Sequence, residues 1–316
     1  LAIPSALSKV VFANGSATPA VIKGDSISAF HHLEIAENSS IQLESDTMLI
    51  AGNVTSGSGS VVDFNTYKTT VTYNGSEQTV INPTGGSGGY HNLILAGSGT
   101  KTLAADSPLQ VKGNFTMSGT ASTTPVQPLL VDTAFTIDAG ATFNGGSRTH
   151  FVGGDFVTNG TFNAQSSTIN FNGAADQHIS TVNEGPVVFN NIYIPVVSEG
   201  KKLIPDTDIQ INGSLVNQAI LNMGLNDLSG TLSLINNNGT IETQSTSIAA
   251  LPSSKIWEGT GYLLLNGVAK QKLVSGNFNN IEINNVENID QVGAVRINND
   301  LKLTNGLLTT SSSNKL

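Results

Sequence analysis

Apolar residues in this chain come in short runs, and each run is closed by glycine, asparagine or serine. Examples are "VVFANG" from Val10, "VTYNG" from Val71, "INFNG" from Ile169 and "LLLNG" from Leu263. Runs of Val, Ile, Leu, Thr and Phe between turn-forming residues predict many short β-strands and almost no helix.

The same pattern repeats. An opening run occurs as Phe30-His31-His32-Leu33, Tyr90-His91-Asn92-Leu93, Phe189-Asn190-Asn191-Ile192 and Phe278-Asn279-Asn280-Ile281. Each follows one of the Asn-Gly runs, with 16, 16, 17 and 12 residues from Asn14, Asn74, Asn172 and Asn266 to the aromatic. A second run recurs as Ile50-Ala51-Gly52-Asn53-Val54, Val111-Lys112-Gly113-Asn114-Phe115, Val152-Gly153-Gly154-Asp155-Phe156, Ile211-Asn212-Gly213-Ser214-Leu215 and Ile297-Asn298-Asn299-Asp300-Leu301, with a weaker copy from Val131 to Phe135. Their starts are 61, 20, 21, 59 and 86 residues apart, close to multiples of about 20.

A period near 20 residues, built of short strands and Gly/Asn turns, predicts an all-β fold: a parallel β-helix, or β-solenoid, drawn out as an elongated rod. One coil cannot bury its inward residues alone, whereas coils stacked about 4.8 Å apart share one core. Phe115, Phe135, Phe156 and Phe171 are expected inside. Asn and Gly are expected at the corners, because they tolerate left-handed backbone angles and stacked asparagines bond to one another.

The opening runs divide the chain into modules at 30–88, 89–187 and 188–276, flanked by a tail at 1–29 and a head at 277–316. Phe30, Tyr90, Phe189 and Phe278, with Asn14, Asn74, Asn172 and Asn266, are the marks of this repeat. Their separations of 60, 99 and 89 residues do not all fit whole coils, which reads as loop insertion or deletion. The cut modules at both ends predict a piece of a longer array, or subunits stacked end to end.

Composition narrows the chemistry. Of 316 residues, 12% are charged; 14 basic and 23 acidic residues give a net charge of −9, and only Arg148 and Arg296 are arginines. No basic stripe exists to replace counterions, so nucleic acid is not an expected partner. Without cysteine there is no disulfide and no thiolate metal site. No apolar run approaches a membrane span, so no membrane insertion is expected in this segment. The start, "LAIPSALSKV", reads as a mature or partial product.

Several residues are candidates for chemistry. His31 and His32 stand where other copies carry Asn, so they read as exchanged corner residues and not as metal ligands. Asp206 and Asp208 near Lys201 and Lys202, or Asp132 with Asp138, would be the acid/base pair of a polysaccharide lyase or glycoside hydrolase. A solvated turn after Pro205 explains the first pair as well. Trp257 and Tyr262 could form a sugar platform, although strand packing accounts for them too. No catalytic, cofactor or metal residue is assigned from these patterns, and no cofactor is expected.

The succession "TINFNGAADQHIS", "FNNIYI", "IQINGSLV", "FNNIEI" and "LKLTNGLLTT" resembles repeats in very large surface adhesins of the Bacteroidota, including gliding-motility adhesins exported by type IX secretion. The resemblance implies a secreted, cell-surface, non-enzymatic stalk or filament. Its partners would be further repeats or identical chains, and surface glycans or other cells. In that setting Asp25-Ser26-Ile27, Asp46-Thr47-Met48 and Asp132-Thr133-Ala134 resemble acceptors for bacterial O-glycosylation. The alternatives are a β-helical polysaccharide lyase or glycoside hydrolase, and a self-assembling filament subunit.

Overall fold

A computed structural model describes residues 8–16, 18–24 and 27–314. The acceptor-like residues Asp25 and Ser26 lie outside the described residues. Every regular element among those described is a β-strand, and the strand ladders run parallel from coil to coil. The fold is an all-β parallel β-solenoid. It divides into two compact units: one runs to Val152 and includes Val157–Asn163, and the other takes Gly153–Phe156 and the chain from Ala164 onward.

In the first unit each coil has three short faces. One face stacks Ile27–Phe30, Thr47–Ile50, Thr70–Tyr73, Asn92–Leu95, Phe115–Met117 and Phe135–Ile137. A second begins with Lys9–Phe12, His32–Ile35 and Val54–Ser56, and a third with Ala20–Ile22, Ser40–Leu43 and Val61–Asp63. Successive residues point to opposite sides of a strand, so alternate positions go inward. Leu93 and Leu95 are fully buried, and Ile94 between them is not.

The second unit repeats the plan. One face stacks Gln177–Ser180, Lys202–Pro205, Ile220–Asn222, Thr240–Thr243, Tyr262–Leu265 and the later part of Gly276–Asn284. Another carries Ile192, Leu215, Ile235 and Trp257 as successive inward residues.

Aromatic side chains cluster in the core of each unit. Phe115 and Phe135 lie 5.0 Å apart between ring centres, Phe135 and Phe143 5.0 Å, and Phe143 meets His150 at 5.4 Å. In the second unit Phe156, Phe171 and Phe189 form a triangle with sides of 5.6 to 6.2 Å, and Trp257 lies 5.1 Å from Phe278. Tilted and edge-to-face pairs of this kind add about 0.5–1.5 kcal/mol each beyond area burial. Phe115, Phe135, Phe156 and Phe171 are all fully buried, as their alternation predicts.

Ion pairs follow the same vertical logic. Lys9–Glu34 (2.7 Å), Lys23–Glu44 (2.8 Å), Lys270–Asp290 (2.9 Å) and Lys302–Glu282 (2.9 Å) each join a residue to its neighbour about one coil away. They lie in solvent, where screening leaves them little weight against the packed core.

Candidate functional site

The most specific construction in the molecule is a bulged corner, and it unites the two runs found in the sequence. Each four-residue opening run lies directly beneath a five-residue run of the next coil. Phe30 pairs with Ile50 and Leu33 with Val54; Tyr90 with Val111 and Leu93 with Phe115. Likewise Phe189 pairs with Ile211 and Ile192 with Leu215, and Phe278 with Ile297 and Ile281 with Leu301. Five residues opposite four force a β-bulge, which turns the chain from one face to the next.

The third residue of the opening run makes the bulge possible. Its side chain accepts the N–H that the extra residue leaves unpaired: Asn114 N–H donates to Asn92 Oδ1 at 2.8 Å, and Ser214 N–H to Asn191 Oδ1 at 2.9 Å. In the first copy Asn53 N–H donates to His32 Nδ1 at 3.0 Å. Nδ1 of histidine and Oδ1 of asparagine both sit two bonds from Cβ, so either supplies the acceptor. That equivalence is why His and Asn exchange here. His32→Asn is expected to leave stability within about 0.5 kcal/mol, and His32→Ala to lower it by about 1–2 kcal/mol, as read by urea unfolding.

The same acceptor dictates the glycine above it. A Cβ on Gly52, Gly113 or Gly213 would overlap His32 Nδ1, Asn92 Oδ1 or Asn191 Oδ1. In the fourth copy Asn299 replaces the glycine, and its amide donates to Asn280 Oδ1 at 2.6 Å.

The bulged corner does not stay on one edge, and this resolves the uneven module lengths. Three returns to the face of Phe30 lead through Ile50 and Tyr73 to Leu95, whereas the next opening run starts earlier, at Tyr90. The run has moved back by one face. In the second unit the column of Ile192 passes through Leu215 and Ile235 to Trp257, on which Phe278 stacks, so the run has moved forward by one face. Separations of 60 and 89 residues are therefore whole coils less or plus one face, and no inserted loop is needed. Tyr90, Phe189 and Phe278 are buried; Phe30 is half-buried.

A second corner follows the Asn-Gly pairs, and its key residue escaped the sequence reading. In "NGSEQ", "NGAADQ" and "NGVAKQ" the glutamine folds inward and is almost fully buried. Gln78, Gln177 and Gln271 each accept, through Oε1, the N–H of their own glycine: Gly75 at 2.7 Å, Gly173 at 2.9 Å and Gly267 at 2.8 Å. Their Nε2 groups donate to carbonyls of the coil below: Ile50 and Gly52 for Gln78, Gly154 for Gln177, Thr243 and Ser245 for Gln271. The coil above then supplies another buried donor. Lys101 Nζ reaches Gly75 O, Ser76 O at 3.1 Å and Gln78 Oε1 at 2.8 Å; Lys201 reaches Phe171 O; Asn285 reaches Ala269 O at 2.8 Å. Burial lowers both lysines to about 8, against the weaker opposite effects of Glu77 and Asp176. The spacing Asn-Gly-x2–3-Gln was visible in three copies. What hid it was the ordinary expectation that glutamine is exposed.

Asn14 belongs to a different construction: it accepts the N–H of Ser40 at 3.0 Å and donates to Ser40 O and Thr18 O, both at 3.1 Å. Asn74 and Asn172 expose their side chains, and Asn266 donates to Glu242 at 3.1 Å. Gly75 and Gly173 are not in the left-handed region. They are glycine because a Cβ would overlap the carbonyl oxygens of Ala51 and Gly153. Stacked asparagines do bond as expected, with Asn217 donating to Asn237 at 2.8 Å and Asn163 to Asn144 at 2.8 Å.

The residues weighed for catalysis do not converge. Lys201 points into the core, and Lys202 pairs with Glu242 at 2.9 Å. Asp206 faces His178 at 3.0 Å, and Asp208 accepts the N–H of Asp227 at 2.8 Å. Asp132 and Asp138 flank opposite ends of the strand Phe135–Ile137, and Asp132 accepts Gln110 at 2.8 Å. Trp257 lies in the core on Phe278, whereas Tyr262 donates outward to Asp300 at 2.7 Å, so they form no common platform. No group of three His, Asp or Glu that could hold a metal occurs among the described residues. No helix among them is long and apolar enough to cross a membrane.

His150 is fully buried: its Nδ1 accepts Leu129 N–H at 3.2 Å and its Nε2 bonds to Gly145 O at 2.8 Å. Those two bonds require the neutral ring, and burial holds its pKa below the ordinary histidine value. A lowered folded pKa means that the unfolded chain takes the proton first. Stability should be full above about pH 6.5 and fall as pH drops below it. His150→Asn should shrink that slope in urea unfolding curves between pH 5 and 7. His91, also lowered by burial and by Lys68, keeps part of it.

Solenoid coils and bulged, clamped corners define this chain as a parallel β-solenoid repeat protein. It matches no protein-family model, no characterised protein and no solved structure in the comparisons made.

Proposed function

We propose that this chain is a non-enzymatic structural or adhesive segment of an extracellular, cell-surface protein, similar to the repeat regions of Bacteroidota surface adhesins exported by type IX secretion. The observation that carries the reading is where the polar groups go. The buried glutamines, lysines and corner asparagines bond one coil to the next; Asp206, Asp208 and Asp132 each face a partner of their own, and Asp138 lies at the far end of its strand from Asp132. Parallel ladders load many hydrogen bonds side by side, which suits a stalk under tension. The partners in this reading are further repeats of the same chain or identical chains end to end, together with surface glycans or other cells.

Incubation with a panel of neutral and acidic polysaccharides is the deciding experiment. The expected result is no release of reducing ends or unsaturated products. Turnover that disappears in Asp206→Asn or Asp208→Asn would replace this reading by a β-helical polysaccharide lyase or glycoside hydrolase.

A further inference from the structure

One face of the second unit is interrupted. It carries Leu228–Ser229 above the strand Ile209–Asn217, and it resumes with Gln271–Leu273 beneath Ile289–Gln291. In the coil between them residues 244–254 contain no strand. Leu228 N–H donates to Ala250 O at 3.0 Å, and Ala250 and Leu251 are buried, so this loop still closes the core. Its outer part stands away from the corner below. The space left is a groove of about 550 Å³, within the range of small-molecule sites.

The lining has a definite chemistry. Leu251 and Pro252 are buried, and Ile248, 62% exposed, offers an apolar wall. Ser229 donates its hydroxyl hydrogen to Ile209 O at 3.3 Å, and Thr231 donates its own to Asn212 O at 3.2 Å. With those hydrogens engaged, the two hydroxyl oxygens lining the groove retain acceptor capacity. Lys255 lines the same groove and is half-buried, and its ammonium has no ion pair or hydrogen bond among the described residues. Lys202, Lys270 and Lys302 of this unit each pair with a carboxylate at 2.9 Å, and Lys272 and Arg296, which have no such pair among the described residues, are exposed and do not line the groove. An unpaired cation beside an apolar wall is open to an anion from outside.

We propose that this groove binds a hexuronate residue of an acidic polysaccharide. The carboxylate pairs with Lys255, ring hydroxyls donate to Ser229 and Thr231, and the C–H face of the ring lies on Ile248. A phosphate would call for several converging N–H donors, and the lining supplies one cation with hydroxyl acceptors. A peptide of Asp and Glu could donate its backbone N–H groups to these hydroxyls, but it brings no apolar ring face to Ile248. The inference deepens the adhesive reading by naming a ligand class.

Isothermal titration calorimetry of the whole chain with galacturonate and mannuronate oligomers tests it. Neutral galactan oligomers, sulfated oligosaccharides and poly-glutamate serve as comparisons. Saturable binding to uronate at one site is expected, weakened at least about tenfold in Lys255→Glu and largely kept in Lys255→Arg. Hydrogen exchange should show protection at 229–231 and 248–255 on binding, with circular dichroism of each variant unchanged. Absence of uronate binding, equal affinity in Lys255→Glu, or tighter binding of galactan, sulfated sugar or poly-glutamate would overturn the proposal. Cleavage of the bound uronate would leave the groove standing and remove the non-enzymatic reading. Failure to bind, with no turnover, would do the reverse.

Discussion

Replacing Gln271 by leucine is expected to lower folding stability by about 4 kcal/mol, since an unpaired buried polar group costs about 1–3 kcal/mol and several are created together. The leucine fills similar space, so the loss is one of hydrogen bonds and not of volume. Gly267 N–H loses its acceptor, Ser245 O loses its donor, and Thr243 O keeps only the N–H of Asn266 at 3.2 Å. The side chain of Asn285, whose Nδ2 also donates to Gln271 at 2.9 Å, is left with its donation to Ala269 O and its acceptance of Glu287 N–H. Water cannot easily replace these partners, because Gln271 is fully buried. Urea unfolding measures the loss, and hydrogen exchange should locate it at Gly267. Gln127→Leu is the control. Its amide donates to Ala105 O at 2.9 Å in an exposed setting, so the change should stay within about 0.5 kcal/mol. Equal effects at the two positions would refute the clamp.

The second large effect is expected at Gly113. Alanine there would drive its methyl into Asn92 Oδ1, with His91 O only 2.9 Å away, at a corner where the coils cannot separate without losing the ladders on either side. Overpacking of this kind costs about 3 kcal/mol. Asn92→Ala alone should cost about 1–2 kcal/mol through the unpaired Asn114 N–H. Made together, the two changes should cost clearly less than their sum, because the colliding oxygen is gone. A double-mutant cycle reads the coupling directly. Additive losses would mean that the glycine serves some need other than room for the acceptor.

Much of the fold was legible because a solenoid repeats its instructions. The period near 20 residues and the buried phenylalanines at 115, 135, 156 and 171 follow from strand alternation and turn residues alone. The two recurring runs were visible as well, but only as separate marks along the chain. Nothing in one dimension says that "YHNL" lies under "VKGNF", or that the extra residue between Val111 and Phe115 makes a bulge. Nor could the sequence show that the marks at Tyr90 and Phe278 have moved to a neighbouring edge, because a residue count does not distinguish a third of a coil from an inserted loop.

Candidate chemistry was harder to read for a related reason. Asp206 and Asp208 share a strand side in the sequence pattern, yet His178 from the preceding coil takes one and Asp227 from the following coil the other. The inward glutamines, and the lysines 101 and 201 above two of the Asn-Gly corners, look like surface residues in composition. They are buried because stacked corners leave carbonyls that need donors.

Local rules were therefore enough to determine the strand class, the coil length and the inward aromatic column, and to place Asn and Gly at turns. The tertiary structure alone decided which coil lies on which, where a side chain replaces a missing backbone partner, and which polar groups are buried to do so. Those outcomes depend on contacts made about 20 residues away, between groups whose meeting is set by the height of one coil.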